Sequence, residues 1–455
     1  MFTREKLDLV IKAYDIRGLV DEQITPDFTF VLGTAFARFL IEEREPATVV
    51  IGEDMRPSSD GLATAFADGL NSQGVDAIRI GLASTDMLYY ASGSLNLPGA
   101  MFTASHNPAA YNGIKLAKSG ARPIGAESGL HRIKNQMIQG IPMSIGPVGR
   151  TTHRELLDGY VDFLLGLFAS DEFTSGRRLK VVVDAGNGMA GFTAPAIMSR
   201  LNVELVPMYF ELDGNFPNHE ANPIDPKNLK ELVKRVKKVK ADIGLAFDGD
   251  ADRCFLVDER GNLVNPSALT ALIAIRELKR KPGSTIIYNL ISSQAVPEII
   301  QENGGVPLRS RVGHSYIKTM MADSDAVFGG EHSGHFYFSD FWRADSGALA
   351  ALFAIAELSH SDLPLSELLA PFGRYFASGE INTTVSNPHE KVELIKAKYE
   401  SEFSVDELDG VTVTGPDWWF NLRASNTEPL LRLNVEAHSQ KQMASVRDQV
   451  LAVIG

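Results

Sequence analysis

The sequence predicts an α/β chain of several domains: three related mixed α/β domains followed by a smaller α+β domain. Three observations carry this. The chain has 455 residues, which exceeds one core and at roughly 100–200 residues per domain implies three or four. Short β-rich runs alternate with longer helical stretches three times, as in domains built on largely parallel sheets. The last part of the chain breaks that alternation.

The elements follow in order. Residues 48–51 read as a strand, 52–59 as a polar loop and 60–73 as a helix. Residues 181–183 form a second strand, followed by Asp184-Ala-Gly-Asn-Gly-Met189 and a helix through Arg200. A third strand at 285–288 leads into a loop at 289–293 and a helix to Asn303. These strand–loop–helix units recur about every 100–130 residues, a repeat of architecture and not of residues. Beyond them, 379–385, 411–414 and 430–437 read as strands, and 389–402 and 441–454 as helices. Gly146-Pro147, the turn at 258–262 and Ala370-Pro371 punctuate the chain, which sets expected domains at 1–147, 148–256, 257–369 and 370–455.

Composition narrows the function classes. Hydrophobic residues make up 44% and charged residues 22%, as in an ordinary soluble globular protein. No apolar run reaches the roughly 18–20 residues of a membrane span, so no membrane partner is expected. The opening Met1-Phe-Thr-Arg-Glu-Lys6 lacks the apolar core of a signal peptide. The one cysteine, Cys254, has no partner for an intrachain disulfide, which fits a reducing, cytoplasmic setting. A net charge of −13 argues against nucleic acid, whose phosphate backbone requires a basic face. An acidic chain that binds a small anion must gather its basic groups at one place.

Two motifs carry charge chemistry. Thr103-Ala-Ser-His-Asn-Pro108 follows the apolar run Ala100-Met-Phe102. Ligands of parallel α/β sheets gather beyond the C-terminal strand ends, and Ser105 and His106 are placed there. As sequence neighbours they do not make a protease-like triad. Asp248-Gly-Asp-Ala-Asp-Arg253 follows the apolar run Ile243-Gly-Leu-Ala-Phe247. Its alternating carboxylates put like charges together, so burial calls for a cation. All-oxygen ligands suit a hard ion, and Mg²⁺ keeps room for a phosphate oxygen. No Glu closes the loop at the EF-hand position.

Two further motifs offer binding groups. Gly329-Gly-Glu-His-Ser-Gly-His335 brings a carboxylate, a hydroxyl and two imidazoles between glycines. Glu331 is suited to accept from two adjacent sugar hydroxyls. Arg423-Ala-Ser-Asn-Thr-Glu-Pro429 joins a guanidinium to small polar side chains, the makings of a phosphate cradle with no Walker sequence. Arg17 in Tyr14-Asp-Ile-Arg-Gly18, Lys115 in Tyr111-Asn-Gly-Ile-Lys115 and His314 in Arg311-Val-Gly-His314 are smaller features. Trp342, Trp418 and Trp419 read as packing residues.

From Tyr14 to Thr427 these segments, in this order, closely resemble the α-D-phosphohexomutase family, in particular its bacterial phosphomannomutase/phosphoglucomutase branch. The resemblance implies four domains around a central cleft. It implies that Ser105 is a phosphoserine, and that Ser105, Asp248, Asp250 and Asp252 hold Mg²⁺. Glu331, His332, Ser333 and His335 match the sugar loop. Arg423, Ser425, Asn426 and Thr427 match the loop for the phosphate that is not transferred. Lys115 and His335 match positions proposed as general acid and base; His106 and Arg253 match residues lining the reaction site, and Arg17 and His314 further binding positions. Lys115 acts as a base only with a lowered pKa, which crowding cations would produce.

The family's reaction implies hexose phosphates as partners and a hexose 1,6-bisphosphate as intermediate and activator. The Gly-Glu-His-Ser-Gly-His form of the sugar loop favours a phosphomannomutase, with glucose phosphate as second substrate. A loop that grips the 3- and 4-hydroxyls does not see C2, where the two sugars differ. Phosphoglucomutase and phosphoglucosamine mutase are the alternatives, followed by a phosphatase or a sugar-phosphate-binding non-enzyme. A monomer or homodimer is expected.

Overall fold

The computed structural model describes residues 2–142, 144, 146–424 and 430–455, with the backbone alone at His314 and Ser315. The chain forms two compact units: Met1–Val264 with Ser333–Leu368, and Asn265–His332 with Leu369–Gly455.

In the first unit, the N-terminal sheet runs in the order Ile16–Leu19, Tyr111–Lys118, Gly99–Phe102, Thr48–Glu53, Asp76–Leu82, Thr151–His153. The last four strands are mutually parallel, and Tyr111–Lys118 is antiparallel to both its neighbours. The sheet is therefore mixed where the sequence predicts a largely parallel one. Helix Pro26–Glu43 starts at Thr25, whose side chain accepts the Phe28 N–H, with Pro26 in the first turn where no N–H is needed. It packs with helix Ser59–Asn71, and Phe28, Phe36, Phe39, Phe66 and Phe102 are buried between helices and sheet.

A second sheet in this unit has the order Cys254–Asp258, Ile243–Phe247, Leu179–Asp184, Val203–Met208. Val181, Val182 and Val183 are all buried, the mark of a strand covered on both faces. Strand Cys254–Asp258 runs through position 256. The hairpin Phe336–Phe338 and Ala344–Asp345 is followed by helix Gly347–Ser359, which is buried almost all round.

The second unit begins with three parallel strands, Val306–Ser310, Thr285–Asn289 and Phe328–Gly330. Its C-terminal part is an antiparallel sheet of Phe376–Ala377, Leu430–Ala437, Trp418–Ala424, Val411–Thr414 and Ser404–Asp406, with Ile381–Thr384 also on Leu430–Ala437. Helices Pro388–Tyr399 and Gln440–Ile454 lay Ile395, Tyr399, Val446 and Val450 onto the core formed by Phe420, Leu422 and Leu433. The strand Trp418–Ala424 is absent from the sequence reading. Its polar Asn421 breaks the apolar run, yet is fully buried, with Nδ2 donating to the Asp409 carbonyl at 2.9 Å and Thr412 Oγ1 at 3.1 Å. The expected strand at 379–385 is observed as Ile381–Thr384, and Gly379, in the left-handed region, separates it from a further short strand at Phe376–Ala377.

Trp342 stacks on Phe163 with centroids 4.9 Å apart, and Trp418 stacks on Phe420 at 5.9 Å. Both fill packing roles, as the sequence predicts. Among the described residues, no helix is long and apolar enough to cross a membrane.

Candidate active site

The first unit places two loops face to face. Strand Gly99–Phe102 ends into the loop of Ser105, and strand Ile243–Phe247 ends at Asp248. The Ser105 Oγ donates to Asp248 Oδ2 at 2.8 Å and lies 3.2 Å from His106 Nδ1. Thr103 Oγ1 accepts the Ser105 N–H at 2.9 Å. Ser105 is buried with φ +51°, a left-handed conformation that is costly for a residue with a Cβ and is held by its surroundings. Close approach requires Gly249 opposite: a Cβ there would lie 2.3 Å from the Ser105 carbonyl oxygen.

Asp248, Asp250 and Asp252 are all buried and each presents a carboxylate oxygen within 4.8 Å of the others. Asp250 Oδ2 accepts from Thr85 Oγ1 at 2.6 Å and from Lys115 Nζ at 2.7 Å. Asp252 Oδ2 accepts from Lys115 at 2.6 Å. Asp250 Oδ1 is buried with no hydrogen-bond partner among the described residues. A buried, unmet carboxylate oxygen in an all-oxygen cluster fits a hard divalent cation.

The charges are strongly unequal. Burial, then the charges of Asp252 and Asp250, drives the Asp248 carboxyl well above the usual carboxylate range. Burial acts the same way on Asp252, but Lys115, His335 and Arg253 outweigh it and hold that carboxyl well below. Burial opposes the Lys115 charge, and Asp250 and Asp252 more than reverse this, so its pKa is pushed well above its usual value. The lowering that a basic Lys115 would require is the opposite of what these neighbours produce, because they are carboxylates and not cations.

Other expected residues gather here. Arg253 Nε donates to His335 Nε2 at 3.2 Å and lies 3.5 Å from Asp248 Oδ2, while its N–H donates to Asp248 Oδ1 at 3.2 Å. His335 Nε2 is 3.5 Å from Asp252 Oδ1 and 3.8 Å from Asp345 Oδ2, and Nδ1 is 2.9 Å from Ser333 Oγ. Arg17 donates to Asp15 Oδ2 at 2.7 Å and Asn107 Oδ1 at 2.6 Å, so it braces the serine loop. Burial, then Arg253 and Arg17, pushes the His106 pKa well down.

The Gly329–His335 motif is divided between the units after His332. In the second unit, Glu331 is buried, with Oε1 accepting the Gly313 N–H at 3.1 Å and Asn289 Nδ2 at 3.4 Å. Burial, offset in part by Glu380, lowers the His332 pKa, with Arg423 adding to the fall. Arg423 is the penultimate residue of the strand Trp418–Ala424 and donates to Glu380 Oε2 at 3.0 Å. His314 opens helix His314–Ser324, and its side chain lies outside the described residues, as do Ser425, Asn426 and Thr427.

Sequence reasoning missed Thr85, Asp345 and Arg56. Thr85 begins helix Thr85–Leu95, and besides its side-chain bond its N–H donates to the Asp250 carbonyl at 3.0 Å. Asp345 lies in the two-residue strand Ala344–Asp345, with no acidic cluster in sequence to mark it. Arg56 did leave a signal: a charged Asp54-Met-Arg56-Pro57 directly after a buried strand.

The sequence matches four consecutive domain families: phosphoglucomutase/phosphomannomutase alpha/beta/alpha domain I over residues 8–140, domain II over 158–261, domain III over 265–375, and the C-terminal domain over 380–453. A phosphomannomutase of Escherichia coli is 38% identical over 453 residues, covering 97% of this chain and 98% of the relative. A phosphomannomutase/phosphoglucomutase of Pseudomonas syringae is 36% identical, covering 97% and 94%. The crystal structure of a phosphoglucomutase/phosphomannomutase family protein from Burkholderia thailandensis superposes with a TM-score of 0.90 at 30% identity, covering 100% of this chain and 97% of that one.

Proposed function

Because the chain belongs to the phosphoglucomutase/phosphomannomutase family, with all four of its domains in order, we propose that it is a phosphomannomutase. It interconverts mannose 1-phosphate and mannose 6-phosphate, and takes the glucose phosphates as second substrates. Relatives named phosphomannomutase and phosphomannomutase/phosphoglucomutase support both halves of this reading. The observation that carries it is the buried Ser105 hydroxyl on Asp248 within an all-oxygen carboxylate cluster.

Ser105 carries the phosphoryl group. The P–O bond to Ser105 Oγ breaks as a new P–O bond forms to the free hydroxyl of the hexose monophosphate. The hydroxyl proton passes to the enzyme, and a hexose 1,6-bisphosphate results. The bisphosphate reverses, its other phosphoryl group returns to Ser105, and the isomerised monophosphate leaves. Such transfer demands positioning and charge neutralisation above all.

The remaining roles follow from chemistry. Asp248, Asp250 and Asp252 would hold Mg²⁺, which when bound supplies positive charge for the phosphoryl oxygens. Arg253 offers a guanidinium to the same oxygens. Lys115, kept charged by Asp250 and Asp252, serves proton transfer as a donor, His335 serves proton transfer beside it, and His106 flanks the serine. Arg17 orders the serine loop. Glu331, His332 and Ser333 take the sugar hydroxyls. Arg423, with Ser425, Asn426 and Thr427, takes the phosphate that stays on the sugar, and His314 is a further substrate-binding position. These groups serve small hexose phosphates in the cytoplasm.

Phosphorus NMR tests the reading directly. The protein is given Mg²⁺, a trace of glucose 1,6-bisphosphate, and, in separate tubes, mannose 1-phosphate, glucose 1-phosphate or glucosamine 1-phosphate. Appearance of the 6-phosphates is expected, faster for mannose. Free phosphate in place of a 6-phosphate makes the protein a phosphatase, and conversion of glucosamine phosphate alone makes it a phosphoglucosamine mutase.

A further inference from the structure

We propose that Arg56 is the positioning residue that presents Ser105 for phosphoryl transfer, by gathering the main-chain carbonyls of the serine loop around one buried guanidinium. The inference rests on the reading of Ser105 as the phosphoryl carrier and names the group that fixes its geometry.

All five N–H donors of Arg56 are engaged. Its Nε donates to Asp54 Oδ2 at 3.2 Å. One terminal nitrogen donates to the carbonyls of Pro108 and Tyr111, both at 2.9 Å. The other donates to the carbonyls of Ser105 at 2.9 Å and Asn107 at 2.7 Å. An arginine has five donors in a planar fork, so the fork is saturated, and four of its five bonds go to one loop. The side chain is fully buried, and so is Ser105, whose carbonyl requires a donor there; the Pro108 carbonyl also accepts the Tyr111 N–H at 3.0 Å.

Arg56 is itself held on three sides. Asp54 Oδ1 accepts the Arg56 N–H at 3.0 Å and Ser59 Oγ at 2.6 Å, which locks the carboxylate in place. The Phe216 ring lies over the guanidinium with its centroid 5.1 Å away. Gly214 meets the Arg56 backbone so closely that a Cβ would come within 2.6 Å of Arg56 Cα.

The consequence for Ser105 is directional. With its carbonyl turned onto Arg56 and its N–H on Thr103, the residue is held at φ +51°. Its Oγ is thereby left to face Asp248 and His106. Arg17 braces Asn107 from its side chain, and Arg56 fixes the backbone. Lysine carries the same charge but offers three donors and no fork, so it cannot keep the four carbonyls together.

The test uses the full chain with Arg56→Lys and, separately, Phe216→Leu, which keeps the hydrogen bonds and removes the ring. Circular dichroism and thermal melts establish folding. Steady-state kinetics on mannose 1-phosphate and single-turnover transfer from phosphorylated enzyme are then measured. For Arg56→Lys, transfer and kcat fall about 100-fold while KM stays within about threefold, as for a misplaced reacting group. For Phe216→Leu, transfer falls about threefold. Should Arg56→Lys fail to fold, Phe216→Leu decides alone. Folded variants that transfer at the wild-type rate, or that raise KM at unchanged kcat, overturn the inference. If Ser105→Ala retains full activity, the carrier reading fails instead.

Discussion

The Ser105 Oγ donates to Asp248 Oδ2 across 2.8 Å, although the two residues stand 143 positions apart in sequence. The bond joins the end of a strand in one sheet to the end of a strand in another. It brings a hydroxyl to carboxylates that have little other reason to be buried together. A phosphate on this oxygen, opposed by a cation on the aspartates, accounts for both features.

Removing the hydroxyl removes the carrier. Ser105→Ala should fall below about one-thousandth of wild-type turnover, as for loss of a nucleophile, while its thermal melt stays near wild type. Coupled assay of mannose 6-phosphate formation measures the loss.

The aspartate cluster should govern metal binding. Asp250→Asn should weaken Mn²⁺ binding, followed by electron paramagnetic resonance of the free ion without any substrate. Chelation of the wild type should abolish turnover, and Mg²⁺ should restore it. Unchanged Mn²⁺ affinity in the variant would assign the cluster to Lys115 alone, which bonds Asp250 and Asp252.

Gly249 tests how tightly the two loops meet. A Cβ at that position lies 2.3 Å from the Ser105 carbonyl oxygen, which is backbone and cannot swing aside. Gly249→Ala should cost about 1–3 kcal/mol of stability, as overpacking does, and lower kcat more than it raises KM. Calorimetry and steady-state kinetics read the two effects.

Arg423, next to the end of its strand, donates to Glu380. If it holds the phosphate that stays on the sugar, Arg423→Ala should raise KM about 10–100-fold, the size of a lost charge-assisted hydrogen bond. Single-turnover loss of the serine phosphate to bound sugar should be affected less.

His219 supplies a pH dependence of stability away from the reaction. Its Nε2 lies 3.1 Å from Asp184 Oδ2, and Nδ1 lies 2.9 Å from the Glu220 carbonyl oxygen. Burial lowers its pKa, but Asp184, then the Glu220 carbonyl and Glu231 outweigh this, so the folded value is raised; the Tyr209 ring packs on the imidazole. A raised histidine stabilises the fold fully below its ordinary pKa, and that contribution is lost as pH rises through the folded value. The melting-temperature gap between wild type and His219→Gln should therefore be wide at pH 5.5 and narrow at pH 8.5. A gap that widens towards alkaline pH would refute the pairing.

Much of the site was legible because its chemistry is local in sequence. The alternating Asp248, Asp250 and Asp252 and the apolar strand before them are both visible without a fold. The strand–loop–helix units were legible for the same reason, since continuous apolar runs such as Val181–Val183 mark covered strands. What escaped depends on distant contacts. Thr85 resembles any residue opening a helix until its hydroxyl is found on Asp250. The environment of Lys115 could not be read: a base there requires crowding cations, and its neighbours are the carboxylates of Asp250 and Asp252. The strand Trp418–Ala424 was hidden because buried Asn421 takes its partners from Asp409 and Thr412.

The central claim is that Ser105 passes its phosphoryl group to a hexose phosphate. The most direct measurement is a single turnover with enzyme carrying ³²P on Ser105, mixed with unlabelled mannose 1-phosphate and quenched over time. The account predicts that label leaves the protein and appears first in mannose 1,6-bisphosphate, with Ser105→Ala unable to take up label at all. Label that remains on the protein while mannose 6-phosphate forms, or that leaves only as free phosphate, would contradict it.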